Sequence, residues 1–196
     1  MKGICVFCGS GRGSGEQYMD AARNLGSSLL NHNLSLVYGG AGVGLMGIIA
    51  DTFLENNGEV IGVIPRALFD KEVACSRLTD LRVVNTMHER KSLMAELSDG
   101  FIALPGGLGT IEEFFEVVTW AQLGIHQKPC GLLNVNGYFD RLIDFLDHAV
   151  SQGFIEKECR LLILMDDDPD ALIQKMKSYQ APEVDKAKWA LEMIHS

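Results

Sequence analysis

No apolar run in this 196-residue chain is long enough to cross a bilayer as a helix, which removes the integral-membrane classes. Basic residues are outnumbered, with 17 Lys and Arg against 26 Asp and Glu and a formal net charge of −9. That balance argues against a general nucleic-acid or anionic-membrane surface, although a local Arg/Lys pocket for one phosphate stays open. Cysteine is scarce and unpaired in pattern: Cys5, Cys8, Cys75, Cys130 and Cys159 are odd in number and scattered, unlike a disulfide framework. The apolar start breaks at Gly9-Ser10-Gly11-Arg12 before it forms a signal-peptide core. Together these absences point to a reducing, cytoplasmic setting. Cys5-x-x-Cys8 resembles a redox or zinc half-motif, but it falls in an apolar strand where residues three apart face opposite sides, and no second pair completes a zinc site. Core thiols are the better reading.

Other signatures are missing too. There is no Gly-Lys-Ser/Thr ending of a P-loop and no His-Glu-x-x-His pairing among the five histidines. No repeat, low-complexity tract or linker divides the chain, and its length suits a single domain over residues 1–196.

What is present is an alternation of short apolar runs and helical patterns. Residues Gly3–Cys8, Leu34–Tyr38, Val60–Ile64, Leu81–Val84, Gly100–Leu104, Cys130–Leu133 and Leu161–Met165 read as strands. Glu16–Asn31, Leu45–Asn57, Met87–Leu97, Thr110–Gln122, Tyr138–Gln152, Asp170–Ser178 and Glu183–Ile194 read as helices, with Pro65 to Thr79 an ordered loop or short helix. Strands uninterrupted by polar residues and separated by helices predict an α/β fold: a doubly wound, mostly parallel, Rossmann-like sheet covered on both faces. Ligands in such folds bind at the carboxyl ends of the strands.

The most informative stretch is Pro105-Gly106-Gly107-Leu108-Gly109-Thr110-Ile111-Glu112-Glu113. A buried strand running through a glycine turn into a helix start aims free N–H groups and the helix dipole at one point, which suits a phosphate. Glu113, one turn into the expected helix, would bring a carboxylate to whatever that phosphate anchors. The competing structural reading is a capping box between Thr110 and Glu113, but capping does not account for Gly106, Gly107 and Gly109 together. Two more glycine loops, Gly9–Gly13 and Gly39–Gly47, follow strands and converge on the same edge. The second holds Gly42-x-Gly44-x-x-Gly47, a formal dinucleotide fingerprint, yet the next strand runs into Pro65-Arg66 where an acidic residue should stand, so NADP is the minor reading.

Met87-His88-Glu89-Arg90-Lys91 opens a helix on that same edge, where Arg90 can pair with a carboxylate or an anionic ligand, or belong to a solvated basic face. Asp166-Asp167-Asp168 invites a metal, but Asp168-Pro169 reads as an N-cap followed by proline at the first helical position, so no metal site is expected. The helix from Thr110 is apolar almost all round through Ile111, Phe114, Phe115, Val117, Val118, Trp120, Ala121 and Leu123, which implies burial against a second copy of the chain.

Cys8-Gly9-Ser10, Tyr38-Gly39-Gly40, Gly44-Leu45-Met46-Gly47, Val63-Ile64-Pro65, Met87-His88-Glu89-Arg90-Lys91, the Pro-Gly-Gly-x-Gly-Thr-x-x-Glu signature and Trp120-Ala121-Gln122-Leu123-Gly124-Ile125-His126 occur in one order over nearly the whole chain. In this the sequence resembles the Lonely Guy cytokinin-activating phosphoribohydrolases, many of which carried the older label of lysine decarboxylase. The resemblance implies a homodimer, with further assembly left open, that needs no cofactor. It would hydrolyse the N-glycosidic bond of a nucleoside 5′-monophosphate, with N6-substituted adenosine monophosphates as best-known substrates. It further implies Glu113 and Arg90 as the catalytic pair, Gly106, Gly107, Gly109 and Thr110 as the phosphate-binding turn, and Ser10, Gly40, Met87 and Lys91 as ligand-contacting or ligand-flanking positions. Plant-like members usually read Gly-Gly-Gly-Ser-x-Gly where this chain has Gly39-Gly40-Ala41-Gly42-Val43-Gly44, a departure that bears on base preference. A broader purine nucleoside-monophosphate nucleosidase and a non-catalytic nucleotide or phosphorylated-cofactor carrier are the alternatives. Pyridoxal chemistry is not indicated, since no lysine stands in a context that marks it as the Schiff-base residue.

Overall fold

A computed structural model of the chain describes residues 1–69, 75, 77–78 and 80–182. Its strands are β1 (Gly3–Phe7), β2 (Ser35–Tyr38), β3 (Val60–Pro65), β4 (Asp80–Val84), β5 (Gly100–Ala103), β6 (Cys130–Leu133) and β7 (Ile163–Asp166). They form one sheet in the order β4-β3-β2-β1-β5-β6-β7, and every neighbouring pair is parallel. The helices are α1 (Glu16–Asn31), α2 (Gly44–Glu55), α3 (Arg66–Phe69), α4 (Met87–Glu96), α5 (Leu108–Gln122), α6 (Asp140–Ser151), α7 (Lys157–Arg160) and α8 (Pro169–Lys177), with a 3₁₀ turn at Val135–Gly137. The doubly wound α/β fold is therefore as the sequence predicts. The expected helix at Glu183–Ile194 lies outside the described residues.

Period-2 alternation divides the strand side chains between two cores. Ile4, Val6, Leu36 and Tyr38 pack with Leu25 and Leu29 of α1, Ile49 and Phe53 of α2, and Leu172 and Ile173 of α8. Cys5, Phe7, Val37 and Phe101 pack with Met94 of α4, Phe114 and Val117 of α5, and Ile143 and Leu146 of α6. Both faces are apolar because both are covered, which is why the strands read as continuous hydrophobic runs. Cys5 and Cys8 fall in different cores, and all five cysteines are buried and outside any disulfide. Burial holds the Cys130 thiol up at about 12.

The chain winds outward from the middle of the sheet in two directions. From β1 it passes through α1 to β2 and through α2 to β3; from β5 it passes through α5 to β6. Because β1 and β5 are neighbours whose following helices lie on opposite faces, the loops after them diverge and leave a crevice at their carboxyl ends. The loops stay joined at one point, where the Gly9 N–H donates to the Pro105 carbonyl at 3.2 Å. Helix α8 starts as read from the sequence: Asp168 is the N-cap, its carboxylate accepts the Ala171 N–H at 2.7 Å, and proline follows at the first helical position. No described helix is long and apolar enough to cross a membrane.

Phe114, 1% exposed between α5 and the sheet, and Phe154, 82% exposed beyond α6, separate core from surface. Phe114→Ala should cost about 3–5 kcal/mol in urea denaturation, whereas Phe154→Ala should cost about 0.5 kcal/mol or less in the isolated chain.

Candidate functional site

The signature helix begins earlier than its letters indicate. Gly107 is the N-cap of α5, Leu108 is its first residue, and no side chain caps this end. Its first N–H groups therefore point out of the helix without intrahelical partners. Thr110 is the third helical residue and is buried. The competing capping box between Thr110 and Glu113 is not formed; Glu113 lies about one and a half turns in and engages Arg90 instead. The capping signal belongs to α4, where the Thr86 hydroxyl accepts the Glu89 N–H at 3.1 Å and the Glu89 carboxylate accepts the Asn85 N–H at 2.8 Å. That Thr-x-x-Glu spacing was equally visible in the sequence, one residue before the segment read there.

The glycines of the turn serve different needs, and none uses a positive φ. A Cβ on Gly106 would overlap the Thr110 hydroxyl and lie 2.8 Å from the Gly9 nitrogen. At Gly107 and Gly109 a Cβ would meet nothing within 4 Å, so these two leave the approach to the helix end bare. Tyr138, a position not marked in the sequence, donates its hydroxyl to the Gly106 carbonyl at 2.7 Å. Because C=O and N–H project from opposite sides of a trans peptide, this bond also sets the direction of the Gly107 N–H. Tyr18 meets the Tyr138 ring edge-on at 5.9 Å. Gly9, Ser10, Gly11, Gly13, Tyr18, Leu45, Pro105, Gly106, Gly107 and Tyr138 line the resulting crevice of about 350 Å³. A larger hollow of about 840 Å³ lies at the amino ends of β1–β3, away from every strand terminus that delivers site residues.

The second glycine loop is used for packing. A Cβ on Gly44 would overlap the Ser10 carbonyl, and one on Gly47 would lie 2.6 Å from the Gly42 carbonyl. The Leu45 N–H at the head of α2 is within bonding distance of the Gly9 and Gly11 carbonyls, at 3.1 and 3.3 Å. In a dinucleotide fold that end of the helix would receive the pyrophosphate. Here neighbouring loop carbonyls occupy it. Gly40 adopts a φ of 80° and is buried, its carbonyl accepting the Cys75 N–H at 3.1 Å.

Across α4 and α5, the Arg90 guanidinium is 3.1 Å from the Glu113 carboxylate, with side chains 10% and 12% exposed. Arg90 Nε donates to the Val63 carbonyl at the end of β3, at 3.1 Å, and the Met87 sulfur is 4.0 Å from Nη1. Lys91 sits between Glu112 at 2.7 Å and Glu116 at 3.0 Å, tying the same two helices together. Glu112 thus turns away from Glu113, as the helix angle predicts. Burial pushes the Glu113 carboxyl up, and the Arg90 charge opposes it without cancelling it. Met87 and His88 are exposed at the start of α4, while Ser10 stands exposed on the β1 loop. The fold therefore gathers Ser10, Gly106 and Gly107 around the crevice and Arg90 and Glu113 beside the same helix, with Lys91 and Gly40 in supporting contacts.

A crevice at a topological switch point, a bare glycine turn opening α5, and a buried Glu113 on that helix paired with Arg90 of α4 mark this edge as the candidate site of a doubly wound α/β protein. The family model "Possible lysine decarboxylase" matches residues 46–176. The chain belongs to that family and, within it, to the Lonely Guy cytokinin riboside 5′-monophosphate phosphoribohydrolases. It is 47% identical over 194 residues to the probable enzyme of this name LOGL2 from Oryza sativa subsp. japonica, covering 97% of this chain and 80% of that one. To LOG1 of Arabidopsis thaliana it is 46% identical over 196 residues, covering 98% and 92%. The molybdenum cofactor carrier protein of Chlamydomonas reinhardtii superposes with a TM-score of 0.68 at 20% identity, over 91% of this chain and 99% of that one, a likeness of fold.

The burial of the pair revises what loss of Arg90 should cost. For an open site about 1 kcal/mol would be expected, but removing one member of a buried pair costs about 3–5 kcal/mol. Arg90→Ala should also couple stability to pH. Glu113 has a folded pKa above its unfolded value of about 4.3, so the folded state binds the proton more tightly and stability falls as pH rises through the interval between them. Without Arg90 the folded value rises further. The loss should therefore be smaller at about pH 4.5 than at about pH 7.5 in urea denaturation, and an equal loss at both would show the two groups to be uncoupled.

Proposed function

We propose that this chain hydrolyses the N-glycosidic bond of N6-substituted adenosine 5′-monophosphates, releasing the free base, a cytokinin, and ribose 5-phosphate. The observation that carries the proposal is the pairing of Arg90 from α4 with Glu113 of α5, the helix whose uncapped amino end forms the glycine turn. The N–H groups at Gly107, Leu108 and Gly109 bind the 5′-phosphate, with Ser10 on the facing loop and Thr110 behind the turn. Five residues of helical rise, about 7.5 Å, separate Leu108 from Glu113, comparable to the span from a 5′-phosphate to the anomeric carbon of the same ribose.

Cleavage breaks the C1′–N bond, and the bond electrons leave with the base. Positive charge builds on the ribose as an oxocarbenium ion, which the Glu113 carboxylate stabilises and toward which it orients water. Water adds at C1′, its oxygen retained in ribose 5-phosphate, and one proton passes to the departing base. Arg90 favours the ionised form of Glu113 against its burial and sets its direction. Met87 and Lys91 flank this part of the site. One domain carries both binding and chemistry, in a reducing, cytoplasmic setting that five cysteines outside any disulfide fit.

The decarboxylase description in the family model does not suit these residues. Lys91, the lysine at the site, is held between Glu112 and Glu116 rather than presented to a carbonyl group.

The same reading includes a two-fold homodimer. On α5 and the loop beyond it, Ile111, Phe115 and Trp120 are only partly buried, and Leu123 and Ile125 are exposed. Covering such a surface is favourable by roughly 25 cal/mol for each Å² of apolar area. Light scattering at low micromolar concentration should give about twice the chain mass, and an active monomer under those conditions would overturn this part of the proposal.

Chromatography of the products from AMP, N6-isopentenyl-AMP, GMP and CMP, incubated separately, tests the activity itself. Free base should appear from the N6-substituted nucleotide. Release from AMP and GMP with equal efficiency would favour a broad purine nucleosidase, and no release from any would favour a carrier. The matching nucleosides should be poor substrates, since they offer nothing to the glycine turn. Glu113→Gln should retain phosphate binding and lose on the order of a hundredfold or more in turnover, because the neutral amide stabilises no oxocarbenium charge and takes no proton from water. Wild-type turnover in that variant would remove Glu113 from the chemistry.

A further inference from the structure

The bottom of the Arg90 pocket is a backbone surface rather than a side chain. Gly39, the first residue after β2, presents its bare Cα to the guanidinium. A Cβ built there would overlap Arg90 Nη2 and lie 3.4 Å from Cζ, with the Met46 sulfur at 3.2 Å on its other side. Unlike its neighbour Gly40, at 80°, Gly39 does not occupy the left-handed region. Backbone conformation therefore does not require glycine here, and the guanidinium does.

From this juxtaposition we infer that Gly39 is a positioning residue for the hydrolysis: its missing side chain is the space that seats the Arg90 guanidinium against Glu113. The inference rests on the proposed role of the Arg90–Glu113 pair and extends it to a position on another strand. Arg90 is constrained on three sides. Nε is bound to the Val63 carbonyl, Nη1 faces Glu113, and Nη2 faces Gly39. A methyl group at Gly39 would leave the backbone intact, because the atoms it meets are the ends of two flexible side chains. The guanidinium would have to withdraw, and the 3.1 Å contact with Glu113 would lengthen.

Glu113 reports such a withdrawal through its proton affinity. The groups around it are Arg90 and Lys91 on α4, Glu112 and Glu116 on its own helix, and the thiols of Cys5 and Cys8 from the β1 side. Among these Arg90 is the strongest influence favouring the carboxylate, so moving it away raises the carboxyl further above its ordinary range. A merely structural role for Gly39 would not produce that change.

The test is a double-mutant cycle on the full chain, read by ¹³C NMR titration of the Glu113 carboxyl and by steady-state kinetics. Gly39→Ala should keep the melting temperature within about 3 °C and raise the apparent Glu113 pKa by at least about half a unit. In the Arg90→Ala background the same substitution should move it by less than about 0.2 units, because the group it displaces is gone. With N6-isopentenyl-AMP as the probe, Gly39→Ala should lower kcat on the order of tenfold or more and leave KM within about threefold, since the phosphate turn is untouched. An unchanged Glu113 titration in Gly39→Ala overturns the inference, as does a shift that persists in full without Arg90. The titration cycle needs no turnover. If the wild-type chain cleaves no nucleotide, the proposed activity fails while the cycle still decides whether Gly39 seats Arg90.

Discussion

The contact between Arg90 and Glu113 is the constraint around which the carboxyl edge of this sheet is arranged. Taking a guanidinium and a carboxylate from water costs several kcal/mol per ion even after relaxation, and their attraction recovers that only with good geometry and further hydrogen bonds. The surroundings supply part of it: a β3 carbonyl binds Nε, and a glycine after β2 makes room for Nη2. They leave Glu113 with its proton affinity still raised. A pair chosen for stability alone would be replaced by apolar residues of similar volume with little loss. A buried pair reaching the helix that opens with the glycine turn accords with the proposed work on a ligand better than with packing alone.

The three glycine loops resemble one another as strings of letters and differ in what they do. The turn before α5 leaves its helix end uncapped and open. The loop before α2 is packed by the β1 loop, whose Gly9 and Gly11 carbonyls lie against the Leu45 N–H at the head of that helix. Of the helices α2 and α5, the one with the more open amino end is the one that also carries a buried carboxylate. That asymmetry is what the proposed function uses to set this site apart from a dinucleotide site on closely similar topology.

Much of this was legible beforehand, for identifiable reasons. Parallel strands covered on both faces leave an unmistakable hydrophobic pattern, so all seven are legible, β6 to the residue and the others to within a residue or two at one end or both. Leu161, for example, belongs to the cap of α7 rather than to β7. The Asp168-Pro169 start of α8 was readable because capping is local. The start of α5 was less legible: it reads as Thr110, but the helix has already begun at Leu108, and the Thr110-x-x-Glu113 spacing closes no box because Arg90 claims the carboxylate. The three glycines of the turn read together as a ligand cradle, whereas steric contact requires only Gly106 and openness distinguishes the other two. Tyr138 and Gly39 left no local signal. Their importance arises from contacts with Gly106 and Arg90, distant in sequence, which no periodicity encodes.

One helix carries both the phosphate turn and the carboxylate, so their separation is fixed by the rise of α5 and does not depend on how any loop moves. Arg90 comes from α4 and has no such guarantee. Its register against Glu113 depends on Lys91, which grips Glu112 and Glu116 one turn apart on α5, and on the Thr86 and Glu89 bonds that start α4 at a defined residue. The site therefore has a rigid part and an adjustable part. Binding of phosphate and placement of the carboxylate belong to the rigid part, and changes there would disturb any substrate alike. Under the proposed function, recognition of the base would fall to the adjustable part, the head of α4 with Met87 and the loop after β2, where Ala41-Gly42 departs from the plant-like pattern. Differences in base preference within this family are expected at those positions, because they can vary without moving Glu113 relative to the phosphate.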